Sequence, residues 1–403
     1  MLRRLLRLVV FEHFPVATGI CFGLAQAILA AWLVALAAGP EGVPWGLFAG
    51  SGLVLALANA WLVPCLGAPR HRGPLASRLA AGYVGLSFAT IAVAAGVAAI
   101  SAALLGLSAL LAFVGLSPVH GFTLFRAATV AGAAGTAAIL AWAAGAGRAS
   151  LEVSERRLAV AGLAAPLAGL RIAHLSDLHV GNGLHGDALD ALVARVAALA
   201  PDLVVITGDL FDYDPDAVPD GARRLGALRA PLGVFAVLGN HDAFVGREWV
   251  ARCLAEHAPA LRLLRGEWQR LPARAPLYVA GFDDPGRDWS LHGGTLPALA
   301  ALARSLPRDG PALLLAHRPE AFVQAAEAGF ALTLSGHYHG GQIALPGTAA
   351  ARWNVARLFS DFPNGAYRHG GAHLYVSRGI GFAGPRVRVG SRPELALLTL
   401  EPA

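Results

Sequence analysis

The sequence contains no lysine, so all 32 of its Lys/Arg cations are arginine. That absence excludes a Walker-type phosphate loop and any Schiff-base chemistry, both of which need a lysine amine. Cysteine is scarce: Cys21, Cys65 and Cys253 are odd in number and far apart. This argues against a disulfide framework and a thiolate metal site, and leaves buried thiols as the expectation. Charge is scarce too, at 14% of residues, and between Phe14 and Gly147 only Glu41, Arg70, Arg72, Arg78 and Arg126 carry any. The net charge of +6 comes from scattered arginines with no aromatic-interleaved basic stripe. Nucleic acid is therefore not an expected partner; membrane lipid or a phosphorylated substrate fits better.

What the first third of the chain has instead is apolar length. Mean hydropathy is +0.55, and charge-free runs cover residues 14–39, 43–67, 79–116 and 127–145. About 20 apolar residues let a helix cross the hydrocarbon core, so about four spans are expected. The third run is long for one crossing and marginal for two; the reading favours one crossing near 79–100 that continues into a short interfacial or re-entrant stretch. Arginine placement sets the orientation. Arg3, Arg4 and Arg7, then Arg70, Arg72 and Arg78, then Arg148, Arg156 and Arg157 all fall on one side of a four-span arrangement, the cytoplasmic side, with Arg126 the exception. The first run exceeds the ~7–15 apolar residues of a cleaved signal peptide. With no ionisable residue inside a span, an anchor is expected rather than a transport path. The expected division is a transmembrane region over 1–150 and a globular domain over 151–403, at a (bacterial inner) membrane.

Beyond residue 169 short β-branched or Leu-rich runs alternate with helical stretches. Strands are expected at 171–175, 203–207, 234–238, 277–281, 312–316, 331–334, 373–377 and 395–400, and helices at 185–199, 216–228, 246–256, 295–305 and 319–327. Such alternation implies an α/β domain with helices outside one or two sheets, whose functional loops leave the carboxyl ends of the strands. Five motifs stand there: Ser176-Asp177-Leu178-His179, Gly208-Asp209-Leu210-Phe211-Asp212, Gly239-Asn240-His241-Asp242, His317, and Gly336-His337-Tyr338-His339-Gly340-Gly341. Their oxygen and nitrogen donors suit Mn, Fe or Zn. An Asp-x-His pair in an extended segment aims both side chains one way, because i and i+2 share a face. Seven candidate donors from five loops suggest two adjacent metals, ~3.5–4 Å apart, able to clamp both oxygens of a phosphoryl transfer.

In this order the motifs resemble the calcineurin-like metallophosphoesterase superfamily, and the wording Leu-Ser-Asp-Leu-His, Val-Leu-Gly-Asn-His-Asp and Gly-His-Tyr-His-Gly-Gly-Gln is similar to its bacterial membrane-associated branch. The resemblance covers about residues 165–400. It implies a two-sheet β-sandwich flanked by helices (α-β-β-α), here preceded by an all-α transmembrane region. It further implies Asp177, His179 and His339 on one divalent metal, Asn240, His317 and His337 on a second, and Asp209 bridging, with Mn favoured. His241 is implied as the group that protonates the leaving oxygen or steadies the transition state, oriented by Asp242. Tyr338 fills a slot where many relatives carry a small polar residue, which bears on substrate contact.

The implied chemistry is hydrolysis by a metal-activated water, without a covalent nucleophile, since no Gly-x-Ser-x-Gly elbow and no motif cysteine is present. Arg318 and Arg378 are candidates to contact a phosphate, although an arginine at either place is more often structural or on the surface. A phosphodiesterase or pyrophosphatase acting on a lipid- or nucleotide-linked, membrane-associated substrate leads the readings. The alternatives are a phosphomonoesterase or phosphoprotein phosphatase merely anchored there, and a non-catalytic membrane scaffold.

Overall fold

The computed structural model describes residues 14–39, 42–67, 74–114, 121–145, 151–285, 295–344 and 353–403. Arg3, Arg4, Arg7, Arg70, Arg72 and Arg148, which fix the expected orientation, lie outside them. The chain divides into two units, one within residues 13–146 and one dominated by 147–403.

The helical unit comprises α1 (Phe14–Ala38), α2 (Trp45–Gly67), α3 (Pro74–Phe113) and α4 (Gly121–Ala144). Each contains a stretch long and apolar enough to cross a membrane, the character of a membrane-associated chain. The third run is a single unbroken helix of 40 residues. No interfacial or re-entrant element follows within it, because Ala and Leu keep helical propensity high and no proline interrupts it before Phe113. Its apolar stretch of 32 residues is about 48 Å long, more than the ~30 Å hydrocarbon core. A helix of that length that crosses a bilayer takes up the excess by tilt or protrusion. In hydrocarbon the helices gain little from hydrophobic burial, so polar contacts matter. Buried Asn59 of α2 donates to Gln26 of α1 at 3.3 Å and accepts from Tyr83 of α3. The expectation of three buried thiols fails: Cys253 is buried, but Cys65 is half-buried and Cys21 exposed.

The second unit is built on two six-stranded sheets. The first runs β1 (Glu152–Val160), β12 (Glu394–Pro402), β2 (Arg171–Leu175), β3 (Leu203–Thr207), β4 (Val234–Val237), β5 (Leu261–Leu263). The second runs β10 (Gly365–His369), β11 (Ala372–Val376), β9 (Leu332–Ser335), β8 (Ala312–Leu315), β7 (Tyr278–Gly281), β6 (Glu267–Arg270). Strands β2 to β5 are mutually parallel, as are β7, β8, β9 and β11.

The two-residue period of a strand decides the layers. In β3, Leu203 and Val205 face the other sheet, in a core with Val279, Leu313, Leu315 and Leu334. Val204 and Ile206 point the opposite way, under α5 (Asp187–Ala198), α6 (Val218–Leu225) and, beyond the short α7 (Asn240–Val245), α8 (Arg247–His257). On the far face Ala280 and Leu314 pack beneath α9 (Thr295–Ser305) and α10 (Phe322–Glu327). The order helix, sheet, sheet, helix is the expected sandwich. All eight expected strands are present within a residue or two of their expected bounds. The four additional ones, β1, β5, β6 and β10, are the outer strands of the two sheets.

Candidate metal centre

Strands β2, β3, β4, β8 and β9 release the five motif loops, and hydrogen bonds lace these together. Asp177 N–H donates to Gly208 O at 3.0 Å and His179 N–H to Asp209 O at 3.0 Å, extending the β2–β3 ladder past the strand ends. The loops are not extended, however. Asp177, His179, Asp209, His337 and His339 all have φ between 46° and 76°, the left-handed region that costs a non-glycine residue of order 1 kcal/mol or more. The expectation that each i, i+2 pair shares a strand face is therefore corrected: successive left-handed turns aim the side chains. Two glycines allow the loops to close. A β-carbon on Gly239 would collide with the Asp209 carboxylate, and one on Gly336 with Ser176 and the Asp177 carboxylate.

Two donor clusters result. In the first, His179 Nε2 lies 3.1 Å from His339 Nε2, which lies 3.4 Å from Asp177 Oδ1. In the second, His317 Nε2 lies 3.2 Å from Asp209 Oδ2, 3.1 Å from Asn240 Oδ1 and 3.2 Å from His337 Nδ1. Asp209 Oδ2 also lies 3.6 Å from His179 Nε2, so one carboxylate faces both. All seven expected donors are thus brought together, and all but His337 are buried. His317 presents Nε2 to the cluster because its Nδ1–H is directed at Thr207 O, 2.7 Å away. Lone pairs converging in a buried site repel unless positive charge sits among them. Protons supply part of that charge here. Burial opposes ionisation of Asp209, but His317, His241 and His179 hold its carboxyl well below the ordinary range. Burial also works against a charged His317, yet Asp209 and Asp177 raise it to about 10. Burial pushes Asp177 up, and pushes His337 and His339 well down. Nitrogen and oxygen donors packed at this density fit divalent cations of the Mn, Fe or Zn type.

His241 stands on the rim, its side chain 13% exposed. Its Nδ1 is 2.7 Å from Asp212 Oδ1, leaving Nε2 to exchange a proton. Burial lowers its pKa, but Asp209 and Asp212 raise it to about 9, so it is protonated near neutrality. Asp212 Oδ1 also lies 3.6 Å from His179 Nδ1. It therefore connects the rim histidine with the first cluster.

The structure corrects the expected role of Asp242 and gives Arg318, Arg378 and Tyr338 their partners. Asp242 does not orient the His241 ring: its carboxylate accepts the backbone N–H groups of Gly239, Leu210 and Phe211, capping α7 and stapling two motif loops. Arg318 is buried with Nε 2.7 Å from Asp284 Oδ2, and Arg378 reaches Glu394 and Glu152 at 3.2 and 3.3 Å. Both guanidiniums thus sit in ion pairs inside the domain, as the structural reading of these arginines has it. The Tyr338 hydroxyl donates to Glu320 at 2.6 Å, which makes it a fold contact.

Asp212 stands in the sequence as the last residue of the Gly-Asp-Leu-Phe-Asp motif, three beyond Asp209, but nothing there assigns it a role; Arg388 is one arginine among many and carries no local signal.

Comparison with known proteins identifies the family. The family described as calcineurin-like phosphoesterase matches residues 170–348. An uncharacterized metallophosphoesterase of Campylobacter jejuni is 35% identical over 234 residues, 58% of this chain and 59% of that one. A transmembrane protein with metallophosphoesterase domain from Danio rerio is 31% identical over 263 residues, 62% of this chain and 58% of that one. The chain thus spans somewhat more than half the length of these two relatives. It covers 85% of an uncharacterized metallophosphoesterase of Aquifex aeolicus, 30% identical over 233 residues. With the sandwich, the ordered motifs and these relatives together, the chain belongs to the calcineurin-like phosphoesterase family.

Proposed function

We propose that residues 151–403 are a metal-dependent phosphoester hydrolase domain carried by a transmembrane region at 1–150. The observation that carries this reading is one buried carboxylate, Asp209, facing two clusters of lone-pair donors, with the ionisable His241–Asp212 pair on their rim. In this reading Asp177, His179 and His339 hold one divalent ion, Asn240, His317 and His337 a second, and Asp209 both. Mn²⁺ is favoured by the mixed carboxylate, amide and imidazole donors. When bound, the ions supply Lewis acidity and an activated water.

The chain's own residues do the rest. Asp212 fixes the proton on His241 Nδ1, so Nε2 serves the departing ester oxygen as a general acid. Its neighbour Asp209 accepts the His241 backbone N–H at 2.8 Å, which holds the acid in register with the shared carboxylate. Asp242, through its three backbone contacts, keeps the loops in place and takes no part in proton transfer.

For substrate, the four apolar helices favour a phosphodiester or pyrophosphate whose other end is lipid- or nucleotide-linked, met at the bilayer by a domain on the cytoplasmic face of a bacterial inner membrane. The test is a screen of the purified full chain with Mn²⁺ on bis(p-nitrophenyl) phosphate, p-nitrophenyl phosphate and nucleotide-linked lipids. Diesters or pyrophosphates are expected to turn over fastest. Preference for monoesters would favour an anchored phosphomonoesterase, and inactivity with every divalent metal would leave a membrane scaffold.

A further inference from the structure

Among the described residues Arg388 is the largest fully buried side chain, at 1% exposure. Burying a guanidinium is costly unless it is well paired. Yet among the described residues no carboxylate lies within ion-pair distance of it. Its partners are backbone carbonyls and one ring nitrogen of His339. Nη1 donates to Arg378 O at 2.9 Å, Ser391 O at 3.3 Å and His339 O at 3.4 Å. Nη2 donates to Gly381 O at 2.7 Å and Gly379 O at 3.1 Å, and lies 3.2 Å from His339 Nδ1. The planar fork of an arginine suits this many divergent acceptors; a point-like ammonium does not.

Apart from Ser391 O, three residues beyond Arg388 itself, those acceptors belong to two strips of the chain. One is the His339 turn itself. The other is residues 378–381, where Gly381 N–H donates to Asp177 O at 2.7 Å and Ile380 N–H to Ser176 O at 3.0 Å. One guanidinium therefore ties down both His339 and the loop bearing Asp177. None of its hydrogen bonds reaches Asp209, Asn240, His317 or His337. Arg388 also lies outside residues 170–348, the part that the family match covers.

We propose that Arg388 is a positioning residue for the first metal site, setting the geometry of Asp177 and His339 without affecting the second site. This rests on the dinuclear reading above. The segment has other anchors: Val389 N–H donates to Gln342 O at 2.8 Å, Ala383 N–H to Gln342 Oε1 at 2.9 Å, and Arg378 N–H to Glu394 Oε2 at 2.9 Å. Loss of the guanidinium therefore leaves the loop attached while its aim changes.

The test is Mn²⁺ titration of the full chain in detergent, following stepwise affinities by calorimetry and spin coupling between the two ions by electron paramagnetic resonance. Arg388→Met is expected to weaken one of the two binding steps by about 10- to 100-fold, as for other supports of metal ligands. The coupled signal should give way to that of an isolated ion. Arg388→Lys keeps the charge but loses the fork, and the same loss is expected; a wild-type result for it would overturn the geometric role. Two undiminished steps in Arg388→Met, or equal weakening of both, would also overturn it. Should Arg388→Met fail to fold, Arg388→Lys decides alone. A wild-type chain that takes up a single ion would instead overturn the dinuclear reading.

Discussion

The link between Asp212 and His241 yields a prediction whose size follows from the structure. The ordinary histidine pKa is 6.5, and His241 stands at about 9 because Asp209 and Asp212 outweigh its burial. A hydrogen bond to a charged group contributes about 1.5–3 kcal/mol, or about 1–2 pKa units at roughly 1.4 kcal/mol each. Asp212→Asn keeps the shape but removes that charge, so His241 should fall by about this amount. An acid works only while protonated. Activity is therefore retained below the His241 pKa and lost above it, and the variant's alkaline limb should move to lower pH by about 1–2 units. Leaving-group chemistry supplies a second axis. A nitrophenolate departs with little help, whereas an alkoxide needs its proton, so the rate loss at neutral pH should be much larger for alkyl than for nitrophenyl diesters. His241→Ala should cost about 10²- to 10⁴-fold with the alkyl substrate and clearly less with the nitrophenyl one. The assay is kcat/KM against pH with both substrates at saturating Mn²⁺, because Asp212 also lies near His179. A loss equal for both substrates and independent of pH would refute the acid role.

The site was more legible in the sequence than its supports were. Asp177, His179, Asp209, Asn240, His317, His337 and His339 each stand where an apolar strand breaks into a polar turn, and the structure collects all seven. How they are aimed was misjudged, because a left-handed φ on an Asp or His leaves no compositional trace. The residues that steady them were hidden for a related reason. Asp242 has backbone amides as partners, and Arg388 has backbone carbonyls, which no sequence pattern displays. The fold follows the same division. Interior strands such as β3, Leu-Val-Val-Ile-Thr, are buried on both faces and read as apolar runs. The missed strands β1, β5, β6 and β10 are all sheet edges. An edge strand discourages further pairing with charged residues and short length: β1 carries Glu152, Glu155, Arg156 and Arg157, and β5 is Leu-Arg-Leu. That device erases the apolar run by which strands are found. The unbroken α3 shows the converse. An apolar stretch says that a helix is possible, but the length of a run does not say whether the chain turns back within it.

Two further predictions concern the donors. Asp209→Ala removes the one carboxylate that faces both clusters, so elemental analysis of the purified variant should find both ions lost; undiminished metal content would refute the shared assignment. Metal uptake should also expel a proton from His317. Its ring is held at about 10 by Asp209 and Asp177 against the cost of burial, so below that pH the metal-free site carries a proton on the nitrogen that must become a ligand. Ions and protons then compete for Nε2, and apparent Mn²⁺ affinity should rise with pH towards about 10 and fall about tenfold per unit below it for each proton displaced. Calorimetry of binding near pH 8 in buffers of different ionisation enthalpy reads that proton directly. Heats independent of the buffer would mean that His317 is already neutral before metal binds, and that Asp209 does not hold a proton on it.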